Sequence, residues 1–157
     1  MANDGGGNKR AQAGHISCVE VKVESKQMIM VIVLGVYQDS DNRYFVLLQD
    51  PQSKLKFTIW IGQCEAWHIS HKLGKIETDA KPTFDLIAEM ILKLNAQISF
   101  VLIDDVDKDF FEAAIYFPGT SFDAINGRPS DGIALALALK IPIYVTEKLL
   151  EKHGRKS

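Results

Sequence analysis

The sequence predicts a single α+β domain with a mixed, mostly antiparallel sheet and helices packed on it. In the first half, apolar residues recur at every second position in several segments, which is typical of strands. After Gly62 they recur at helical spacing in two segments, and residues 132–139 are apolar all round, as in a buried helix. A length of 157 residues with 46% hydrophobic content suits one domain with one core.

The N-terminal part divides into a polar tail and the start of the folded domain. Residues 1–15 are predicted to be disordered, because glycines stand among polar residues with almost nothing to bury. The folded domain is predicted to span residues 16–152. Around residues 19–23, valines alternate with charged residues, which indicates a strand with one face in water. Residues 28–34 are apolar on both faces, so we expect a central strand covered on both sides.

The middle of the chain is predicted to hold both strands and helices. Strands at residues 44–48 and 55–61 extend the first strands into an antiparallel meander. Helical spacing then predicts two helices, and alternation predicts two strands joined by a turn and a short extended segment. Their predicted positions are residues 66–73 and 86–94 for the helices, 98–106 and 110–117 for the strands, and the surroundings of Phe122 for the extended segment.

The last third of the chain is predicted to contain the buried helix. Pro129 suits its first turn, because a backbone N–H would have no helical partner there. Pro142 excludes continuation of this helix. Residues 143–145 have room for a brief strand, and Thr146 can cap a last amphipathic helix.

Composition excludes several classes of function. Eighteen basic and 20 acidic residues give a net charge of −2, so no overall positive field attracts phosphate backbones and any nucleic-acid contact must be local. Cys18 and Cys64 are too few for a disulfide framework, and no signal segment opens the sequence. The longest apolar run is too short to cross a bilayer. We therefore expect a cytoplasmic protein without membrane contact.

Three segments resemble the bifunctional nuclease domain family and occur in the family's order. They read IWIGQCEA at residues 59–66, KPTFDL at residues 81–86, and RPSDGIALAL at residues 128–137 followed by PIYV. The resemblance covers roughly residues 17–150. It implies an α+β domain that is commonly a homo-oligomer, with hydrolytic activity on RNA and DNA in some members.

The middle segment departs from the family pattern at two positions. The family motif usually reads Arg-Pro-x-Thr-His-Asp-Leu or close to it, whereas here Lys81 stands for the arginine and Phe84 for the histidine. An imidazole that could move a proton near neutral pH is therefore missing at that position. If the chemistry needs that group, this protein either works without it or is inactive.

Three acidic residues are the first candidates for catalysis. Glu65, Asp85 and Asp131 each stand near the start of a predicted helix after a turn. Phosphodiester hydrolysis commonly uses such carboxylates to hold Mg²⁺ or Mn²⁺, which neutralises the phosphate and activates water. The alternative is purely structural, because the helix dipole favours an acidic residue in the first turn.

Basic and hydroxyl residues complete the predicted site. Arg128 could clamp a phosphate with its planar fork, or pair instead with Asp85 or Asp131. Lys81 and Ser130 are predicted to bind the substrate. No histidine lies near Ser130 in sequence to activate it as a nucleophile, so capping of the helix is its favoured structural role.

Two further groups of residues are of metal-binding types. His68 and His71 follow Glu65 at helical spacing, but a solvated helix face is favoured over a metal site because no partner set is evident. Four acidic residues between the predicted strands lack the glycine and closing glutamate of a calcium loop, and a hairpin turn explains them. They are Asp104, Asp105, Asp107 and Asp109.

Two functional hypotheses from different classes follow. The favoured one is a metal-dependent nuclease acting on RNA or single-stranded DNA through Glu65, Asp85, Arg128 and Asp131. The alternative is a non-catalytic regulatory or assembly module, in which these polar residues form a ligand pocket or a salt-bridged contact between copies. Clustered carboxylates with an arginine favour the enzyme, whereas Phe84 and the slightly acidic charge favour the module.

Overall fold

The computed structural model describes residues 27–107, 110–119 and 124–156. The predicted tail, the predicted strand at residues 19–23 and Phe122 lie outside the described residues. In chain order the elements are β1 Met28–Gln38, β2 Tyr44–Gln49, β3 Lys56–Ile61, α1 Gln63–Lys72, α2 Thr83–Lys93, β4 Phe100–Asp107, β5 Phe110–Tyr116, β6 Ile125–Gly127, α3 Pro129–Leu139, β7 Ile143–Thr146 and α4 Glu147–His153.

The strands form one mixed sheet in the order β3-β2-β1-β7-β4-β5-β6. Strands β1, β2 and β3 pair antiparallel in sequence, which confirms the predicted meander. Strand β7 pairs antiparallel with β1 and parallel with β4, and the remaining pairs are antiparallel. The predicted α+β class with a mostly antiparallel sheet is therefore confirmed.

Strand β1 is central, as predicted, but it is not covered on both faces. Val31 is only 4% exposed, whereas Met28, Met30 and Ile32 are 44%, 48% and 43% exposed. Side chains alternate between the two faces of a strand, so β1 turns one face to the core and the other remains open among the described residues. The prediction of a doubly covered strand was wrong, because an uninterrupted apolar run cannot show whether a second layer covers its outer face.

Helix α3 lies at the centre of the fold. Its residues from Ser130 to Ala136 are buried except for Asp131, which confirms the predicted buried helix. The helix contacts β4 and β5 and also β3 at the opposite end of the sheet, so the sheet is curled around it. Gly132 allows the closest approach, because a Cβ there would lie 2.8 Å from the Ala113 Cβ and 2.9 Å from the Val101 Cγ1.

The C-terminal part follows the prediction closely. Helix α3 begins with Pro129 and ends before Lys140, which adopts a left-handed conformation with φ of 57°. The Thr146 hydroxyl accepts a hydrogen bond from the Leu149 N–H and so caps α4. Beyond α4, the backbone of Arg155 pairs with Lys56 at the edge of β3, which ties the chain end to the far side of the sheet.

The acidic residues of the β4–β5 region have structural partners. The Asp104 carboxylate accepts a hydrogen bond from the Thr146 hydroxyl at 2.7 Å. Asp105 is buried and accepts from the Lys152 ammonium at 2.7 Å, with the His153 Nε2 at 3.5 Å. Three of the four residues assigned to a hairpin turn, Asp104, Asp105 and Asp107, thus lie within β4. Two of them, Asp104 and Asp105, fasten the start and the end of α4 to the sheet. Asp109 and the side chain of Asp107 lie outside the described residues.

Candidate functional site

Three helices place an acidic side chain at the same local position. Glu65, Asp85 and Asp131 are each the third residue of their helix, in α1, α2 and α3 respectively. Backbone N–H groups in a first helical turn lack helical partners and create a positive end that favours carboxylates. The sequence pattern therefore located all three residues correctly along their helices.

Arg128 brings two of these acids together. It is the residue immediately before α3, and its guanidinium donates to Asp131 from Nε at 2.8 Å and from Nη2 at 3.0 Å. Its Nη1 lies 2.7 Å from the Glu65 Oε1. Arg128, Glu65 and Asp131 are named the Arg128 cluster below, and the cluster joins the first turns of α1 and α3.

The Arg128 cluster lies at the protein surface. The Arg128 side chain is 66% exposed, whereas those of Glu65 and Asp131 are 15% and 35% exposed. Hydrogen bonding to Asp131 and the nearby charge of Glu65 raise the pKa of Arg128 above its ordinary value, so the guanidinium stays charged. Three of its roughly five N–H donors face the carboxylates, and the remaining donors can bond a ligand.

Gly62 positions the Glu65 carboxylate. Gly62 is the N-cap residue of α1 with ordinary extended φ and ψ of −76° and 167°. The Glu65 carboxylate folds back over this glycine, because a Cβ at Gly62 would collide with the Glu65 Oε2 and the glycine has none. The Gly-x-x-Glu spacing of this turn therefore holds the Glu65 side chain against the helix start, where it meets Arg128.

Asp85 belongs to a different ion-pair group. Its carboxylate pairs with the Lys72 ammonium, and the His71 Nε2 lies 3.5 Å away. The hydrogen bond from Lys72 is the main reason that the pKa of Asp85 falls below its ordinary value. Sequence reasoning missed Lys72, because no local spacing relates residues 13 apart on two different helices. Arg128 pairs with Asp131, one of its two predicted partners, and with Glu65 instead of Asp85.

The carboxylates do not fit a resident divalent ion. Within residues 27–107, 110–119 and 124–156, no group of three or more His, Cys, Asp and Glu side chains could hold a metal. Both Asp131 oxygens and one Glu65 oxygen are bonded to Arg128, whose positive charge occupies the position that a cation would need. The predicted use of Mg²⁺ or Mn²⁺ stays a prediction, and no chemical step is derived from it.

The two predicted substrate-binding residues lie in different surroundings. Ser130 is the second residue of α3 and is 6% exposed. The N-cap residue of α3 is Arg128, and no side chain caps this helix, so the structural role assigned to Ser130 was wrong. Lys81 is exposed just before α2, where its ammonium pairs with Glu89.

The two histidines of α1 are partly buried, not solvated as predicted. His71 has a side chain that is 19% exposed, and its Nδ1 lies 2.8 Å from the Ile76 carbonyl oxygen. The His68 ring lies nearly perpendicular to the rings of Trp67 and Phe84, at centroid distances of 5.1 Å each. Its Nδ1 is buried without a hydrogen-bond partner in the described part of the chain. Phe84, the residue that replaces the family's histidine, thus lies beside a histidine from another helix.

Residues 46–157 match the family model described as the bifunctional nuclease domain. The chain belongs to the bifunctional nuclease domain family. The match includes all the predicted site residues, from Glu65 on α1 to Asp131 on α3. In this bifunctional nuclease domain, the motif around Glu65 contacts the motif around Arg128 through the ion pair between these two residues.

Two curated relatives of this bifunctional nuclease domain come from Mycobacterium tuberculosis. They are named Uncharacterized protein MT1877, from strain CDC 1551 / Oshkosh, and Uncharacterized protein Rv1829, from strain ATCC 25618 / H37Rv. Each is 33% identical over 125 residues, which cover 79% of this chain and 75% of the relative. The similarity therefore extends over most of the fold.

The helices of this bifunctional nuclease domain are short. The longest, α2 and α3, have 11 residues each within the described ranges. None of the described helices is long and apolar enough to span a membrane.

Proposed function

We propose that this domain hydrolyses phosphodiester bonds in RNA or single-stranded DNA at the Arg128 cluster. The observation that carries the proposal is the exposed guanidinium of Arg128, held by Glu65 and Asp131 at the start of α3. A fixed arginine fork suits the two non-bridging oxygens of a phosphodiester. Membership of the bifunctional nuclease domain family supports the same class of reaction.

Each member of the cluster has a separate role in the proposal. The exposed donors of Arg128 bind the phosphate and stabilise the negative charge that grows on its oxygens during the reaction. Asp131 fixes the guanidinium plane through two hydrogen bonds, and Glu65 fixes it from α1. The bound arginine then needs little reorganisation when the substrate arrives, and its positive charge is aimed at the reacting phosphate.

Predicted site residues outside the cluster extend the proposed binding site. Two carboxylates and one guanidinium leave the cluster with a formal charge of −1, so further cations must help to hold a nucleic-acid backbone. Lys81 is exposed and can exchange Glu89 for a phosphate. Ser130 and Asp85 remain predicted site residues, and both lie in first helical turns near the start of α3 and α2.

Cleavage of end-labelled single-stranded RNA and DNA tests the proposal. Purified wild-type protein is compared with Asp131→Ala and with Glu151→Ala, which removes an exposed carboxylate on α4. Each protein is assayed with Mg²⁺, with Mn²⁺ and with a chelator. We expect Asp131→Ala to lose about 100-fold in rate and Glu151→Ala to match the wild type. If the wild type cleaves with Mg²⁺ or Mn²⁺ but not with the chelator, the metal prediction is supported. Equal cleavage by all three proteins would contradict the proposal.

Assembly through a second copy of the chain is a second candidate function, and a specific surface favours it. Leu86 and Met90 of α2 and its C-cap residue Leu94 are 50%, 55% and 77% exposed. Residues four apart lie along one helix face, so these side chains form an apolar stripe. A two-fold contact requires a self-complementary surface. Antiparallel packing centred on Met90 would place Leu86 of each copy against Leu94 of the other.

Light scattering after size-exclusion chromatography tests this homo-oligomer. Met90→Glu places a charge in the middle of the stripe, while Gln52→Glu adds the same charge at an exposed turn. We expect Met90→Glu to shift the protein to monomer and Gln52→Glu to keep the wild-type mass. A monomeric wild type, or an unchanged mass in Met90→Glu, would exclude this interface.

A cytoplasmic location is proposed as well. Cys64 is a free, exposed cysteine at the start of α1. An exposed thiol is kept reduced in the cytoplasm and is readily oxidised outside it. Fractionation of cells that express the tagged protein tests this proposal, and recovery in a membrane or secreted fraction would contradict it.

A further inference from the structure

His68 contains a buried polar atom whose bonding is unexplained. Among the described residues, its Nδ1 is the buried side-chain nitrogen or oxygen that has no hydrogen-bond partner. Folded proteins satisfy nearly all such atoms, and an exception often marks a group used in chemistry or a bound water or ion. The buried Nδ1 of His68 therefore needs an explanation beyond packing.

Aromatic packing fixes the orientation of the His68 ring. Its neighbours are Trp67, at an interplanar angle of 86°, and Phe84, at 81°, each with a centroid distance of 5.1 Å. Phe84 offers no hydrogen-bonding group, and the indole of Trp67 has only a donor. The His68 ring is thus held between two aromatic rings, and neither of them accepts a hydrogen bond through a nitrogen or oxygen atom.

His68 is next to the Arg128 cluster along α1. It follows Glu65 by three residues, and side chains at this spacing lie on one helix face with Cβ atoms about 5–6 Å apart. Glu65 in turn contacts Arg128. The other charged or titratable groups around this face are His71 and Lys72 on α1, Asp85 on α2, and Arg128 and Asp131 on α3.

We propose that His68 is the general base of the hydrolysis, an inference that rests on the proposed function. The neutral imidazole, with its hydrogen on Nδ1, accepts a proton at Nε2 from the attacking water. The water oxygen forms a bond to phosphorus while Arg128 binds the phosphate oxygens. The bond from phosphorus to the leaving oxygen breaks, and that oxygen takes a proton from solvent. The imidazole then returns its proton to solvent.

Three substitutions separate proton transfer from packing. His68→Phe keeps an aromatic ring between Trp67 and Phe84 but removes both nitrogens. His68→Ala leaves a space that free imidazole can enter. His153→Phe is the matched control, because His153 also contacts an aromatic ring, that of Phe111, at a centroid distance of 5.0 Å. Single-turnover cleavage of labelled single-stranded RNA is measured for each variant, together with binding of the same RNA carrying non-hydrolysable phosphate analogues.

We expect His68→Phe to lower the cleavage rate about 100-fold to 10,000-fold, with the RNA affinity within twofold of the wild type. Added imidazole should raise the cleavage rate of His68→Ala at least tenfold and leave that of His68→Phe unchanged. The control His153→Phe should cleave at the wild-type rate. Wild-type rates in His68→Phe, a loss of RNA affinity that accounts for the lost rate, or no imidazole rescue would each overturn the role of His68. Arg128→Ala is measured beside these variants, and if it cleaves about 100-fold more slowly than the wild type in those cases, the proposed function stands. A wild-type protein without cleavage would overturn both proposals.

Discussion

At Arg128, one guanidinium links two helices whose first turns are far apart in sequence. Glu65 and Asp131 could each be predicted from the sequence as first-turn acids, and both are. Their meeting through Arg128 could not, because Glu65 and Arg128 belong to different motifs and only the curled fold brings them within 2.7 Å. Asp85 has the same local signal and pairs elsewhere, with Lys72. Local position therefore identifies candidate residues, and tertiary contacts decide which of them share a site.

Gly62→Ala tests the placement of Glu65. The backbone angles of Gly62 suit alanine, but the new Cβ would force the Glu65 carboxylate to move. We expect cleavage to fall about tenfold to 100-fold, because a displacement of about 1 Å in a catalytic group can have that effect. Thermal melting should be nearly unchanged. Gly127→Ala is the control, since nothing lies within 4 Å of a Cβ there. A fully active Gly62→Ala protein would show that the position of the Glu65 carboxylate is unimportant.

Among the elements, α3 was the easiest to predict and β1 the hardest. The run of small and apolar residues after Pro129 predicts a buried helix, and the structure confirms it: α3 is buried from Gly132 to Ala136. The run at the start of β1 is equally apolar, yet Met28, Met30 and Ile32 face outward. Periodicity reports which residues share a face. It does not report whether another layer covers that face.

Gly132→Ala tests the close packing of α3. The added methyl group would lie 2.8 Å from the Ala113 Cβ and 2.9 Å from the Val101 Cγ1, and both belong to the sheet core. We expect the free energy of unfolding to fall by about 1–3 kcal/mol, the usual effect of overpacking. Urea unfolding measures the difference. The Gly127→Ala control should stay within about 0.5 kcal/mol of the wild type. An unchanged free energy of unfolding in Gly132→Ala would contradict the close packing of α3 against the sheet.

At the scale of the whole molecule, polar contacts join the sheet to the C-terminal helix α4. Asp105 on β4 is buried and paired with Lys152 of α4. The hydrogen bond from Lys152 is the main cause that lowers the pKa of Asp105, and His153 adds to it. The sequence predicted a hairpin turn at this aspartate. Its pairing with α4 could not be predicted, because the two partners lie 47 and 48 residues further along the chain.

Acid unfolding tests this link. A carboxyl whose pKa is lower in the folded state stabilises the fold above its unfolded pKa of about 4. That stabilisation is lost as the pH falls through the lower folded pKa. We therefore expect the free energy of unfolding to decrease between pH 5 and pH 2, and to decrease less in Asp105→Asn. Urea unfolding across this range measures the effect, with the exposed Asp79→Asn as control. An equal pH dependence in wild type and Asp105→Asn would exclude the link.

The central claim is that Arg128 binds and activates the phosphodiester. Arg43 provides a matched control, because it is 64% exposed and is held by Asp39 through two hydrogen bonds, much as Arg128 is held by Asp131. The decisive measurement is the single-turnover cleavage rate of labelled single-stranded RNA by wild type, Arg128→Ala and Arg43→Ala. We expect Arg128→Ala to be slower by about 100-fold or more and Arg43→Ala to match the wild type. Equal rates in all three proteins would contradict the claim.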